Sequence, residues 1–455
     1  MSTFQHRGFL AGLMAALLPL LAAAKVSPEQ AARLGADLTP SGAEVAANAD
    51  GSIPPWNGGQ TAAPENFAGA GARYVDPYPA DKPLFTITAA NLETYRGRLT
   101  PGQLALFEKY PDSYAMKVYP TRRSFANPVA VYLATRQNAV TAQLSDDGET
   151  LTGAALGLPF PITDSGREAL WNHRLRYRDV SVRRWNNQYA VSATGEYNVV
   201  KLREDQLLLY ARPDIEQPKP GNALQFLTQV VTEPARLAHS FTLIHDYLDG
   251  TRQPREAWQL SPDQERWRRA SNLSYDNYAT ATDGLRTYDQ ADMFSGALDR
   301  YDWKLEGKRE VFIPVNAYAL HSDRVKAADL IRKGHINPEL PRYELRRVWV
   351  VQARVRKGAV GNLFSRRTFY LDEDSWQIAL AELYDTQEAL VRVQEAHSIV
   401  AYDKPWQVPV LQVLYDLPSG RYLAEGLNNQ DEETREQAFE IRDFDPARAA
   451  RRARK

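Results

Sequence analysis

The chain contains no cysteine among its 455 residues. It therefore has neither a disulfide nor the lipidated cysteine that anchors a lipoprotein, and an exported form must be stabilised by its core alone. An excess of charge of one sign is also lacking, since 55 Lys and Arg stand against 56 Asp and Glu, for a formal net charge of -1. This balance gives no global field that attracts nucleic acid or an anionic membrane surface, so partners have to be recognised locally.

Signatures of several enzyme classes are missing from the sequence. It has no Gly-x-Ser-x-Gly elbow, phosphate-binding loop, dinucleotide fingerprint or zinc-peptidase helix. The six histidines after the first 24 residues never lie three or four positions apart, as a helical metal pair requires. We therefore expect no catalytic residue, no metal and no cofactor.

Two weaker chemical alternatives stay open. His239 and His245 are six residues apart and would share one face of a strand, where a metal or acid–base role competes with a structural one. Asp164, Ser165 and His173 are residue types that a hydrolase uses. Ser165, however, is placed like a turn or cap residue before a short helix.

The first 24 residues have the pattern of a secretory signal peptide. His6 and Arg7 form a short basic region, residues 9–21 are apolar, and three alanines close the segment. The apolar run is shorter than the roughly 20 residues of a membrane-spanning helix and contains Pro19. We expect cleavage after Ala24, export to the periplasm by the general secretory route, and no transmembrane segment in the mature chain.

The two ends of the mature chain differ in amino-acid composition from its middle. Residues 25–120 are punctuated by Pro and Gly, and capping patterns at Ser27 and Thr100 indicate short helices. This predicts a wrapping segment rather than an independent core. The basic end, residues 446–455, is predicted to be solvated and disordered.

Residues 121–445 carry the expected core of the fold. Most of this region consists of β-rich runs spaced about ten residues apart, which favours an antiparallel meander over strands alternating with helices. A stretch that begins with "NALQFLTQVVTEPARLAH" predicts a helical insertion at about 221–295, with a further capping pattern at 261–264. The fold class is therefore mainly β with helices (α+β), built on a large curved antiparallel sheet.

Residues 299–318, "DRYDWKLEGKREVFIPVNAY", alternate rings with charges. In a strand, Tyr301, Trp303 and Leu305 fall on one face and the charged neighbours on the other. Gly307 and the following lysine predict a reversal, which makes the stretch a hairpin. A second turn is predicted at 372–375, where the acids are expected to face solvent rather than to bind metal.

The chain is rich in large rings, with nine Trp and 23 Tyr. Most are expected in the core, and the others can line an apolar cavity. Burying a long acyl chain contributes on the order of 10 kcal/mol before ordering costs, at about 0.8 kcal/mol per methylene, so a carrier needs no reactive residue. Tyr301, Trp303 and Leu305, which share one face of the predicted strand, are predicted to contact such a ligand.

Five stretches resemble one known family. They are "NADGSIPPWNGG", "KPLFTITAANLETYRGRLTPGQLALFEKYP", "LPFPITDSGREALWNHRLRYR", "DRYDWKLEGKREVFIPVNAY" and "FYLDEDSWQIALAELYD", and they run in order over nearly the whole mature chain. In these stretches the chain resembles the domain of unknown function 1329 family. That family is similar in fold to LolA and LolB, the periplasmic lipoprotein carriers.

The resemblance implies a larger version of their half-open antiparallel β-barrel, which encloses a helical lid and an apolar cavity. It also implies movement of a hydrophobic cargo across the envelope, together with an exporter of the resistance-nodulation-division type and an outer-membrane protein. It supplies no catalytic residue, and only aromatic residues of the matching stretches can be offered as candidates for the cavity: Trp171, Tyr301, Trp303, Tyr318 and Trp376. Together with Leu305 they are the predicted ligand-binding residues.

Three hypotheses follow. The first is a periplasmic carrier of a lipid, lipoprotein or sterol-like molecule that is not an enzyme. The second is an accessory subunit that docks an exporter or outer-membrane protein through residues 25–120. The third is a hydrolase of a hydrophobic substrate, which requires His173 or His245 within hydrogen-bond reach of a Ser or a carboxylate in one cleft.

Overall fold

The structure is a computed structural model that describes residues 26–213, 222–250, 252–261, 264, 266–271, 273, 275–359 and 363–454. Strands dominate these residues. They are β1 Phe85–Ile87, β2 Met116–Tyr119, β3 Gln143–Leu144, β4 Leu151–Thr152, β5 Ser181–Trp185, β6 Asn187–Val191, β7 Tyr197–Leu207, β8 Ala223–Glu233, β9 Phe241–Tyr247, β10 Glu256–Leu260, β11 Arg268–Ala270, β12 Tyr301–Pro314, β13 Tyr343–Val355, β14 Arg366–Asp372, β15 Ile378–Tyr384, β16 Leu390–Ala401, β17 Trp406–Asp416, β18 Arg421–Leu427 and β19 Arg435–Glu436. The predicted signal peptide lies outside the described residues.

The helices are short, and several pack against the sheet. They are α1 Pro28–Ala31, α2 Leu92–Tyr95, α3 Pro101–Lys109, α4 Val129–Thr141, α5 Gly166–Leu175, α6 Tyr318–His321, α7 Ala327–Leu330 and α8 Pro446–Ala453. Of these, α3 packs on β15 and β16, and α5 packs on β12 and β13. The capping boxes predicted at Ser27 and Thr100 are confirmed. Each hydroxyl accepts a hydrogen bond from the backbone N–H of the Gln three residues later, and the side chain of that Gln accepts one from the backbone N–H of the cap residue. Among the described residues, none of the helices has the length and apolar character needed to cross a membrane.

One large sheet contains all the strands except the small pair β3 and β4. From β12 to β18 each strand pairs antiparallel with the next, β18 then pairs with β6, and the order continues through β7, β8, β9, β10 and β11. β2 runs parallel to β13, so the sheet is mixed. No pairing between described residues joins β12 to β11, and the sheet is not closed.

The sheet divides into two halves along one edge of β7. The first part of β7 pairs with β6, whereas residues 203–207 pair with β5. Asn186 separates β5 from β6 in the chain, and its side chain is buried at this break. A strand that changes neighbours in this way lets the two halves diverge, and the space between them forms the cleft described below.

The helical insertion predicted at about 221–295 is wrong, because strands β8 to β11 occupy this region. In β8, Leu224, Phe226, Thr228 and Val230 are buried while the residues between them are partly exposed. This period of two is the pattern of a strand, and it outweighed the helical interpretation of the same letters. The capping pattern at 261–264 lies partly outside the described residues.

The predicted hairpin at Gly307 is also wrong. β12 is a single strand of 14 residues that runs through Gly307. It pairs with β13 along its whole length, and the pairing is irregular only between Leu305 and Gly307, where the register shifts. Gly307 has φ +112°, a conformation that suits a bulge as well as a turn. The predicted alternation is confirmed, since Tyr301, Trp303 and Leu305 face inward and the charged residues between them are exposed.

Within the described residues, which end at Arg454, the basic C-terminal end forms a helix where disorder was predicted. Asp445 caps α8 by accepting from two backbone N–H groups, and Ala449, Ala450 and Ala453 pack against the core beside β9. Alanine is a strong helix former, and three small residues on one face allow close packing. The arginines occupy the other side of this helix, which explains why charge alone suggested disorder.

The acids at 372–374 are buried, contrary to the prediction of an exposed turn. Asp374 forms ion pairs with Arg123 at 2.6 Å and with Arg346 at 2.8 Å. Glu373 pairs with Arg347 at 2.7 Å. Arg123 and Arg347 also donate to the backbone carbonyl of residue 44, so this network fastens the N-terminal segment to the sheet.

Candidate functional site

A cleft lies where the two halves of the sheet diverge. It encloses about 1370 Å³, counting the solvent at its mouth. Strands β5, β7, β8 and β9 form one wall, and β17 with β18 forms the facing wall. Residues 286–295 and the end of α5 complete the lining.

Side chains from alternate positions of four neighbouring strands line the first wall. Register places Val182, Gln206, Leu227 and Ile244 in one row across the sheet. A second row contains Arg184, Glu204 and Gln229, and a third contains Gln225 and Asp246. Because successive residues of a strand point to opposite faces, all three rows are directed to the same side, into the cleft.

An apolar strip runs through the cleft. It combines residues of the first wall, the facing strand β17 and the segment before β12: Val182, Leu224, Leu227, Ile244, Phe294, Trp406, Val408, Val410 and Leu411. These side chains provide aliphatic and aromatic surface on both walls. Such a lining with a few ordered polar groups is typical of small-molecule sites.

The charged groups of the cleft are mostly paired. Arg178 contacts Asp292, Arg184 contacts Glu204, Arg255 contacts Asp246 at 2.6 Å and Arg286 contacts Glu425 at 2.9 Å; these pairs and Arg174 are the charged lining. Burial raises the pKa of Glu204, but Arg184 and the amides of Asn186 and Gln229 outweigh burial and hold that pKa below its usual range. The carboxylate of Glu204 is therefore a fixed negative charge at neutral pH.

His173 lies on α5 behind the cleft and is fully buried. Its Nδ1 accepts from the backbone N–H of Ile378 at 3.1 Å, so Nε2 carries the proton and donates to the carbonyl of Asp292 at 2.8 Å. Burial, helped by the charge of Arg176, lowers the pKa of His173 to about 3. The neutral ring thus connects α5 to the strand β15 and to the segment that holds Asp292.

We expect folding stability to fall as the pH drops from about 6.5 toward about 3, because only the unfolded chain binds a proton at His173 in this window. The neutral state of His173 contributes fully to the free energy of unfolding above the pKa of the unfolded chain. This contribution, roughly 4 to 5 kcal/mol, is lost as the pH falls to the pKa of the folded protein. In His173→Gln this part of the pH dependence should disappear from urea unfolding measured across the range. Ala169→Gly, a neutral change on the same helix, should keep the wild-type slope; equal slopes for all three proteins would contradict the assignment.

The six predicted ligand-binding residues do not line this cleft. Five of them, Trp171, Tyr301, Trp303, Leu305 and Trp376, meet in or against one hydrophobic cluster beneath α5. Tyr318 belongs to a different cluster. These five residues therefore pack together outside the lining of the cleft.

The polar atoms of these rings are satisfied by the protein. The indole N–H groups of Trp171, Trp303 and Trp376 donate to backbone carbonyls at 2.8–2.9 Å, and the hydroxyl of Tyr318 donates to Val400 at 2.9 Å. Trp376 also stacks on Trp349 with 6.0 Å between ring centroids. Buried rings with completed hydrogen bonds are the mark of a packed core.

The histidines considered for hydrolysis have other partners. His245 bonds the carbonyl of Phe444 at 3.0 Å, and His173 Nε2 is 4.0 Å from the nearest carboxylate oxygen of Asp292, beyond hydrogen-bond reach. His335 Nε2 is 2.9 Å from the hydroxyl of Ser113, a contact that sequence reasoning missed, but neither residue lines the large cleft. Within the described ranges, no cluster of three or more His, Asp or Glu is placed to hold a metal ion.

Known proteins with similar sequences indicate the family of this chain. A sequence profile for the family described as "Protein of unknown function (DUF1329)" matches residues 86–449. An uncharacterized protein of Pseudomonas aeruginosa, PA3922, is 44% identical over 449 residues, which cover 98% of this chain and 97% of the relative.

Solved structures show weaker likeness. A putative outer membrane lipoprotein-sorting protein domain from Vibrio parahaemolyticus aligns with 62% of this chain and 97% of its own length, at 14% identity and a TM-score of 0.43. A DUF1329 family protein from Desulfovibrio piger aligns with 59% of this chain and 91% of its own, at 13% identity and a TM-score of 0.40. A LolA superfamily protein from Nitrosomonas europaea covers 62% and 98%, at 11% identity and a TM-score of 0.36. With the profile spanning most of its length and a relative matched almost end to end, this chain belongs to the DUF1329 family.

Proposed function

We propose that the protein is a periplasmic carrier, which holds a hydrophobic or amphipathic molecule between the two halves of its sheet and catalyses no reaction. In this proposal the sheet acts as a half-open barrel around its cargo. The observation that carries the proposal is the cleft of about 1370 Å³ with apolar surface on both walls. Apolar walls with a few placed polar groups are the usual lining of a site for such a molecule.

Energetics agree with a carrier role. A chain laid along the apolar strip contributes about 0.8 kcal/mol per buried methylene, or on the order of 10 kcal/mol for a long chain before ordering costs. The signal-like first 24 residues support export. Because Arg255 and Arg286 beside the strip already have carboxylate partners, an apolar body can enter without separating these ion pairs.

The proposal is tested on protein purified without detergent. Native mass spectrometry and lipid extraction should find a co-purifying or exchangeable amphiphile in stoichiometric amount. A cleft that stays empty and takes up no added lipid would exclude the carrier function.

Filling the cleft should block binding. Leu227 lies in the central row of the first wall, and Leu227→Trp places a large ring in the apolar strip. We expect at least a tenfold loss of affinity for the fluorescent apolar probe N-phenyl-1-naphthylamine, since a lost chain contact of about 1.4 kcal/mol already costs tenfold. Leu133→Trp is the matched control, because Leu133 is 66% exposed on α4 and far from the strip. Equal effects of the two variants would rule out the cleft as the binding site.

Two finer parts of the proposal remain. Trp171, Tyr301, Trp303, Leu305, Tyr318 and Trp376 stay a predicted set of cargo contacts. Four of them, Trp171, Tyr301, Tyr318 and Trp376, are buried and reach a cargo only if their clusters open. We also propose transfer of the cargo to an exporter of the resistance-nodulation-division type and an outer-membrane protein. Cross-linking in cells should capture such an envelope partner, and a cell in which the carrier works with none would refute this part.

A further inference from the structure

One arginine of the cleft differs from the other four. Arg174 lines the cleft, and within the described residues it forms no ion pair and no hydrogen bond through its guanidinium. The remaining cleft arginines each contact a carboxylate. Counting the lining residues, five arginines stand against four carboxylates, so the unpaired cation is also the excess charge.

The position of Arg174 is fixed by an aromatic ring. Its guanidinium carbon lies 4.2 Å from the ring centroid of Trp171, one turn earlier on α5. Trp171 is fully buried, and its indole N–H is anchored on the carbonyl of Gly148 at 2.9 Å. A cation stacked on a rigid ring keeps its in-plane N–H donors free for a planar or tetrahedral anion, at little cost in side-chain entropy.

The surroundings make this donor group available to a ligand. Arg174 is partly exposed to the cleft, and the apolar strip of Leu224, Leu227 and Phe294 lines the same space. A ligand can therefore place an apolar body on the strip while its head reaches the guanidinium. The carboxylates of Glu149 and Asp246 act on this cation only through space, without an ion pair, so its N–H donors stay open to an anionic head.

We propose that Arg174 binds the anionic head, a phosphate or carboxylate, of an amphiphile whose apolar body lies along the strip. This inference rests on the proposed carrier function and adds the chemical class of the cargo. Arginine is suited to the role because its fork of donors matches phosphate and carboxylate oxygens in pairs. Trp171 acts as the residue that positions Arg174.

The test compares ligands that share a tail. Dodecyl phosphate, laurate and 1-dodecanol are titrated into the delipidated mature protein, with inorganic phosphate as the head alone. We expect the two anionic amphiphiles to bind at least tenfold more tightly than the alcohol. Arg174→Gln should weaken the anionic ligands by about 10- to 100-fold and change the alcohol by less than about threefold.

Two further variants keep the test decisive. Arg174→Lys keeps the charge but not the fork, and we expect an intermediate loss for dodecyl phosphate. Arg354→Gln alters an arginine of β13 that is 55% exposed and should leave all affinities unchanged. Thermal unfolding is measured for each variant, and an unchanged midpoint shows that the fold is retained.

The outcomes separate the two proposals. Equal binding of alcohol and anions, unaffected by Arg174→Gln, would overturn the assignment of an anionic head and leave the carrier function standing. Inorganic phosphate binding as tightly as dodecyl phosphate would also overturn it, because the site would then take a free anion. Failure of all three amphiphiles to bind would instead refute the carrier function itself.

Discussion

Arg346→Met is expected to lower the free energy of unfolding by about 3 to 5 kcal/mol, one of the largest effects of a single substitution in this protein. Arg346 is 2% exposed and lies near the start of β13. It contacts Glu344 at 3.3 Å, Asp372 at 3.4 Å and Asp374 at 2.8 Å. Without this cation, the buried carboxylates of Glu344, Asp372 and Asp374 lose a positively charged partner. Buried charges without partners are costly.

The same strand supplies the control. Arg354 pairs with Glu388 at 3.2 Å, but both side chains are about half exposed, at 55% and 45%. Arg354→Met should therefore cost no more than about 1 kcal/mol. Denaturant unfolding followed by tryptophan fluorescence compares the two variants, and similar midpoints would show that burial of the network contributes nothing special.

The network also shows where sequence reasoning stops. Residues 372–375 were predicted to form a turn between two strands, and they do so between β14 and β15. The exposure of the acids was wrong because Arg123, about 250 positions earlier, folds onto them together with Arg346 and Arg347. A turn residue is exposed by default, and only long-range pairing reverses that expectation.

Local patterns predicted the local features well. The capping boxes of α1 and α3 depend on three or four consecutive residues, and both are present. Alternation in the first half of β12 placed Tyr301, Trp303 and Leu305 on the inner face correctly. The hairpin predicted at Gly307 was wrong because a positive φ is compatible with either a turn or a bulge. Pairing with β13 on both sides of Gly307 makes it a bulge.

The candidate site was only partly predictable. "WNHRLRYR" drew attention to Trp171, whose size and type suggested a cavity wall. The structure places the indole beneath the cleft and the guanidinium of Arg174, three residues later, inside it. Helical spacing makes residues three apart neighbours, which was a usable signal. Among the described cleft arginines, only Arg174 makes no ion pair with a carboxylate, and this depends on pairing across distant strands, which a single sequence does not reveal.

The second large effect is expected at Trp376, where Trp376→Ala should cost about 3 to 5 kcal/mol of stability. The ring is fully buried, stacks on Trp349 and donates to the carbonyl of Ser41 at 2.9 Å. Trp376 thereby packs the turn after β14 against both the sheet and the N-terminal segment. Alanine would leave a cavity and an unpaired buried carbonyl.

Two variants show which of these losses matters. Trp376→Phe keeps a ring but not the donor, so we expect a smaller cost of about 1 to 3 kcal/mol. Trp267→Ala removes an indole that is 37% exposed and should change stability by less than about 1 kcal/mol. Unfolding midpoints and binding of N-phenyl-1-naphthylamine are measured on the same samples. Loss of binding with unchanged stability in Trp376→Ala would make this ring a cargo contact, whereas loss of stability with binding retained by the folded fraction makes it part of the core that holds the cleft in shape.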